Sequence, residues 1–316
     1  MSFSAEVKEE LSRVESRHLC CQKAELAALA RIEGTLHILG KERFRLELAT
    51  ETAPVARKAI KLLRALYGLK TELTVRRSIL HKTNNYLITV PDQPGSLQAL
   101  NELGILDDSM RLATGILHRV VRKNCCAIAY LRGAFLGGGF VANPQGDFHF
   151  ELTADSEKIA EDLATLMRRF EIDPKITQRR GLYTVYLKGA EPILMFLALA
   201  GAHGALLKTE NVRVVKSMRN QVNRLVNAET ANLSKTADAA LAQIEAIELL
   251  EETVGLESLS PALRDFARLR LEHQDVSLRE LGELADPVLS KSAVYHRVRR
   301  LEELARSTGQ SRRREQ

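Results

Sequence analysis

No apolar run in this 316-residue chain reaches the roughly 18 residues that a membrane-crossing helix needs, so no transmembrane segment is expected. The opening MSFSAEVKEELSRVE alternates charged with apolar residues and lacks the basic head and apolar middle of an export signal, so a cytoplasmic protein is expected. Tryptophan is absent and aromatics make up 5%, yet 45% of the residues are apolar and 27% are charged. That balance excludes a disordered or collagen-like chain and supplies core material for two or three domains. Cysteine is scarce. The four residues form two adjacent pairs, Cys20-Cys21 and Cys125-Cys126, without the CxxC spacing of a zinc site or redox couple. They are expected to be buried, reduced thiols, with no metal and no cofactor.

An excess of one charge sign is also nearly lacking. Lys and Arg number 46 against 40 Asp and Glu, a net charge of +6 that permits nucleic-acid binding without establishing it. The positive charge lies late: Lys208 to Lys235 carries six basic residues against two acidic, and Lys291 to the end carries eight against three.

What the chain does have is an internal repeat at an offset of 105 residues, set by the Cys20-Cys21 and Cys125-Cys126 pairs. The offset pairs Leu26 with Leu131, Ala28 with Gly133 and Gly34 with Gly139; Leu46-Glu47-Leu48 matches Phe150-Glu151-Leu152 after a small shift. Each copy reads as a small-residue helix (Lys23 to Glu33; Ala127 to Gly137) and then a hairpin (Thr35 to Leu39 with Phe44 to Thr50; Phe140 to Ala142 with Asp147 to Thr153). An amphipathic helix follows (Val55 to Tyr67; Ser156 to Phe170), then a second hairpin (Glu72 to Arg77 with Asn85 to Val90; Lys175 to Arg179 with Leu182 to Leu187) and a short apolar helix. The order is αββαββα, twice. Alternation puts Phe44, Leu46 and Leu48 on one face and Arg45 and Glu47 on the other, so each sheet has one buried and one wetted side. Ala28, Gly133 and Gly137 let the two first helices approach closely, as a pseudo-twofold seam.

This arrangement resembles the LAGLIDADG homing endonucleases, in which each motif helix ends in an acid before its last glycine and the two acids hold divalent metal for phosphodiester hydrolysis. Leu26 to Gly34 puts Glu33 at the first acid position, whereas Leu131 to Gly139 puts Gly138 at the second. A lone Glu33 offers a hard cation too few oxygens, so no catalytic residue, no metal and no cleavage are expected. Glu33 is instead expected to pair with an arginine or to be solvated. Glu47 and Glu151 lie mid-strand, too far past the seam to replace the missing ligand, and would repel phosphate.

Between Asn211 and Lys235, helical spacing puts Asn220, Asn223, Arg224 and Asn227 on one side and Met218, Val222 and Leu225 on the other. Asn is a poor helix former, so its concentration here admits two readings: Arg219, Asn220, Asn223 and Arg224 contact DNA, or the asparagines cap and bridge turns where the core meets a linker. Ser234 reads as the N-cap of a long helix through Ala237, Leu241, Ile244 and Ile247 that ends at Gly255.

The C-terminal stretch gives three helices. Ser260-Pro261 opens the first, Ser277 with Glu280 forms a capping box for the second, and Pro287 breaks the chain before Ser290 caps the third. With Val294, Val298, Leu301 and Ala305 turned inward, Ser290, Lys291, Ser292, Tyr295, His296 and Arg299 face outward at the end that enters the major groove in a helix-turn-helix. Arg297, Arg300 and Arg306, and the tail Arg312-Arg313-Arg314, are candidate phosphate contacts.

A degenerate duplicated LAGLIDADG unit, the stretch from Asn223 to Lys235 (NRxxNxExANxxK) and a C-terminal helix-turn-helix together resemble the bacterial WhiA-type transcription regulators over almost the whole chain. The resemblance implies a nucleoid-associated DNA-binding regulator linked to sporulation, cell division or chromosome segregation, without catalysis. Double-stranded DNA is the implied partner, with a WhiB-type regulator or RNA polymerase as further candidates and no membrane. The expected fold is α+β: halves at 1–110 and 111–220, a basic Asn-rich segment and linker helix at 221–256, an all-α helix-turn-helix domain at 257–306 and a disordered basic tail at 307–316. Two other readings stand beside it: an active endonuclease or maturase of the same fold, and a protein-interaction scaffold.

Overall fold

The computed structural model describes residues 2–40, 42–77 and 84–314, and the chain divides into two compact units, Met1–Lys216 and Ser217–Gln316. The first unit holds both copies of the repeat around one core. An N-terminal helix, α1 (Phe3–Ser12), buries Phe3, Val7 and Leu11, one residue per turn. The first copy follows as α2 (Leu19–Ile32), β1 (Gly34–Gly40), β2 (Arg43–Thr50), α3 (Ala53–Tyr67), β3 (Glu72–Arg77), β4 (Asn84–Val90) and α4 (Ser96–Glu102). After a short α5 (His118–Val121) come α6 (Asn124–Gly138), β5 (Gly139–Val141), β6 (His149–Ala154), α7 (Glu157–Arg168), β7 (Lys175–Arg179), β8 (Leu182–Lys188) and α8 (Ala190–Ala200). The αββαββα order is therefore realised twice.

Both sheets are antiparallel with matching strand orders, β1-β2-β4-β3 and β5-β6-β8-β7. Alternation works as the spacing demands: Phe44, Leu46 and Leu48 are buried along β2, as are Phe150, Leu152 and Ala154 along β6. The amphipathic helices supply the inner layer with Val55, Ala59, Leu62 and Leu63 of α3 and with Ile159, Leu163 and Met167 of α7. On the wetted face the two repeated acids are engaged locally, Glu47 with His37 at 3.2 Å and Arg45 at 3.3 Å, and Glu151 with His149 at 2.6 Å.

The seam between α2 and α6 is close because glycine makes it so. A Cβ on Gly133 would lie 2.3 Å from the carbonyl oxygen of Glu25 and 2.9 Å from the Ala28 Cβ, so any larger residue pushes the two backbones apart. The seam also contains a buried ionic cluster. Glu25 accepts from Arg132 Nε and Nη2, both at 3.0 Å, and pairs with Lys58 Nζ at 2.7 Å. Arg132 Nη2 donates further to Ser16 Oγ at 2.6 Å, and Lys58 Nζ to the Val14 carbonyl at 2.6 Å. Burial pushes the Lys58 ammonium below the usual lysine range, against the opposing pull of Glu25.

Helix α9 (His203–Thr253) runs without a break from the first unit into the second. Its first turn is capped from a distance: the Glu10 carboxylate accepts from the amides of Gly204 at 2.7 Å and Ala205 at 3.0 Å, matching a negative charge to the helix N-terminus. The continuity corrects the expected N-cap at Ser234. That residue lies mid-helix, its hydroxyl 3.5 Å from the Asp238 carboxylate one turn on, so it has no orphan amides to cap. Gly255, in the left-handed region at φ 75°, lies just past the end of the helix as expected.

In the second unit, α10 (Pro261–Glu272), α11 (Leu278–Leu284) and α12 (Lys291–Arg314) pack on the end of α9 through Ile247, Leu250, Phe266, Leu281, Val294, Val298 and Leu301. The Ser277–Glu280 capping box forms with both of its bonds. Gly282 touches the turn that follows: its carbonyl accepts from the Leu289 amide at 2.9 Å, and a Cβ there would stand 2.7 Å from the Leu289 carbonyl oxygen. Arg270 is fully buried and donates to Gln243 Oε1 at 3.1 Å and to the Val276 carbonyl at 2.7 Å, linking α9 and α10 to the segment before α11. The tail expected to be disordered from 307 is helical as far as Arg314. No proline interrupts 291–314, and Thr308 returns a hydrogen bond to the Leu304 carbonyl at 3.0 Å, so α12 propagates past its last core residue.

Candidate nucleic-acid interface

Val294, Val298, Leu301 and Ala305 fix the inner stripe of α12, and this leaves the opposite face of its first turns open. Ser290 caps the helix by accepting from the Ala293 amide at 3.3 Å. Ser290, Lys291, Ser292, Tyr295, His296, Arg299 and Arg300 are all exposed, whereas Arg297, three residues past Val294, is half-buried. Two of these arginines are held on the protein: Arg299 Nε donates to Glu303 Oε1 at 3.1 Å and Arg300 Nη1 to Glu303 Oε2 at 3.4 Å. The arrangement presents short hydroxyls, one phenol, one imidazole and three cations at the N-terminal end of a helix whose other side is anchored in a core. Such a surface can donate to base edges and to phosphates.

Arg219, Asn220, Asn223 and Arg224 stand on α9 and are exposed, and none of the four side chains engages another group among the described residues. The reading of the asparagines as turn caps is thereby corrected, because no turn occurs there. Met218, Val222 and Leu225, assigned to the other side of the helix, are exposed as well; helical spacing says which residues share a face and not what covers it.

At the C-terminal end of the seam, Glu33 closes α2 opposite Gly137 and Gly138. Burial pushes its carboxyl up to about 7, with Lys8 acting against the shift and Glu51 adding to it. No arginine pairs with Glu33 among the described residues; the cation that acts on it is Lys8 of α1, whose Nζ donates to the Gly137 carbonyl at 2.7 Å and feels the charges of both Glu33 and Glu51. Sequence reading missed Lys8 and Glu51. The one available signal was the stripe Phe3, Val7, Leu11, which marks α1 as packed and places Lys8 beside it.

The structure also brings together what adjacent spacing left apart. The sulfurs of Cys20, Cys21, Cys125 and Cys126 all lie within 4.8 Å of one another. The expectation of buried thiols holds for Cys21 and Cys126 only, since Cys20 is half-buried and Cys125 exposed.

Three family models match the chain in succession: the WhiA N-terminal LAGLIDADG-like domain at residues 19–106, the WhiA LAGLIDADG-like domain at 127–219 and the WhiA C-terminal HTH domain at 222–305. The chain is 48% identical over 306 residues to the probable cell division protein WhiA of Heliobacterium modesticaldum, covering 96% of each protein. It is 49% identical over 306 residues, again 96% of each, to the probable cell division protein WhiA of Desulfitobacterium hafniense. The crystal structure of full-length WhiA from Thermotoga maritima matches it with a TM-score of 0.61 at 27% identity, over 98% of this chain and 99% of that one. No described helix is long and apolar enough to cross a membrane. With a duplicated LAGLIDADG-like unit, a C-terminal helix-turn-helix and relatives alike over nearly their whole length, the chain belongs to the WhiA family.

Proposed function

We propose that this protein is a cytoplasmic, nucleoid-associated DNA-binding regulator that reads double-stranded DNA through the first turns of α12 and acts in cell division, sporulation or chromosome segregation. The observation that carries this reading is the open surface of Ser290, Lys291, Ser292, Tyr295, His296 and Arg299 on a helix anchored behind by Val294 and Val298. The exposed Arg219 and Arg224 with Asn220 and Asn223 add sequence-independent phosphate contacts. The names of the relatives, probable cell division proteins, point to the process.

Arg299→Ala is the direct test. On sites recovered by genome-wide mapping of the bound protein, the variant is expected to bind about 1–3 kcal/mol more weakly, the worth of one bidentate base contact, with binding to random DNA unchanged. Equal weakening on every sequence overturns base readout by Arg299 and leaves it a phosphate contact.

The duplicated unit does not cut DNA in this reading. The second acid position is Gly138, so Glu33 has no partner carboxylate there, and the Lys8 ammonium already acts on Glu33 electrostatically. Supercoiled plasmid incubated with the protein and Mg²⁺ is expected to stay intact; metal-dependent nicking that disappears in Glu33→Ala would establish the nuclease reading instead.

A further inference from the structure

Every cysteine of this chain meets at one point. Cys20 and Cys21 are the second and third residues of α2, and Cys125 and Cys126 are the second and third residues of α6. Each half of the repeat thus delivers two thiols from equivalent positions in the first turn of its seam helix, at the opposite end of the seam from Glu33. The four sulfurs lie within 4.8 Å of one another. We propose that they form a tetrathiolate site for one zinc ion, two ligands from each half, that clasps the N-terminal ends of the seam helices.

The geometry selects this occupant. Zinc bonds to thiolate sulfur at about 2.3 Å in a tetrahedron, which places the four sulfurs roughly 3.8 Å apart, within the 4.8 Å that spans them here. A four-iron cluster carries eight atoms of its own inside the thiolate shell and needs far wider spacing. Packing alone does not account for the convergence, because Cys125 is exposed and fills no core.

The surroundings suit a centre of negative charge. Both cysteine pairs sit on the positive ends of helix dipoles, and Lys123, the residue preceding α6, adds a cation that acts on Cys20. As zinc binds, four S–H bonds give up their protons to solvent and four Zn–S bonds form, leaving a doubly negative centre between two helix N-termini. Because the ligands come from both halves, binding free energy becomes stability of the seam.

The test uses the full chain, purified under reducing conditions without a metal-affinity tag. Elemental analysis is expected to find one zinc per chain, released on titration with a mercurial. After chelation, Co²⁺ is expected to restore one equivalent, with the visible bands and thiolate charge-transfer band of a tetrahedral tetrathiolate. The double variant Cys20→Ser/Cys125→Ser is expected to carry background zinc only, with an unchanged far-ultraviolet circular dichroism spectrum. If that variant fails to fold, Cys125→Ser alone, at an exposed position, together with the Co²⁺ spectrum of the unaltered protein, decides the matter. The proposal is overturned by unaltered protein that holds no more zinc than the double variant and takes up no Co²⁺. It is equally overturned by a non-reducing mass lower by four hydrogens in freshly isolated protein, which assigns the sulfurs to two disulfides.

Discussion

Replacing Glu25 by alanine is expected to cost about 3–5 kcal/mol of unfolding free energy, because it leaves two buried cations without their shared counter-charge. Arg132 points at this carboxylate across the seam, with 6% of Arg132 and 1% of Glu25 exposed, and Lys58 of α3, with 9% of its side chain exposed, reaches it from the other side. Desolvation already weighs on Lys58 with Glu25 in place. The cost therefore comes from stranding charge rather than from losing one bond. A triple variant that replaces Glu25, Arg132 and Lys58 with apolar residues of similar volume is expected to recover most of the loss, since no member of the cluster is then left charged and unpaired. Guanidinium unfolding of the single and triple variants measures both. A change of less than about 1 kcal/mol in Glu25→Ala, the range of an exposed pair, would show that water reaches the cluster.

The second large effect concerns recognition. A chain ending at Gly255 keeps Arg219, Asn220, Asn223 and Arg224 on α9 and lacks α10, α11 and α12. Under the proposed function it is expected to bind DNA with no preference among sequences. The discrimination typical of specific readers, about 10³-fold or more over random DNA, is expected to fall to none. Footprinting on mapped sites with competitor DNA measures the ratio. An unchanged footprint from the shortened chain would move recognition to the duplicated unit.

The sequence made most of the fold readable. Period-two alternation at Phe44-Arg45-Leu46-Glu47-Leu48 and helical spacing at Ile159, Leu163 and Leu166 both report local geometry, and both elements formed where the patterns placed them. Capping was legible where the chain truly starts a helix, at Ser277 and Ser290, and misleading at Ser234, where a serine and a run of polar residues imitate a start inside α9. The features that stayed hidden depend on partners far apart in the chain. Glu25 meets Arg132 across 107 positions, Lys8 meets Gly137 across 129, and the two cysteine pairs converge only because the seam stacks the first turns of two helices. Local spacing contains no trace of such meetings, although an arginine set among the apolar residues of α6 was a hint that something had to neutralise it. In α12 the sequence told which residues lie outward; it did not tell that Glu303 holds both Arg299 and Arg300.

A side chain added at Gly138 would begin with a Cβ 2.7 Å from the Ile32 methyl and 2.8 Å from the Thr153 carbonyl oxygen, and Lys8 already interacts with the neighbouring carboxylates. One codon change at that position would thus strike fixed backbone before it offered an oxygen to any ion. An acid at Gly138 would need room made by coordinated changes on three elements: at Ile32 of α2, along the Thr153 backbone of β6 and at Lys8 of α1.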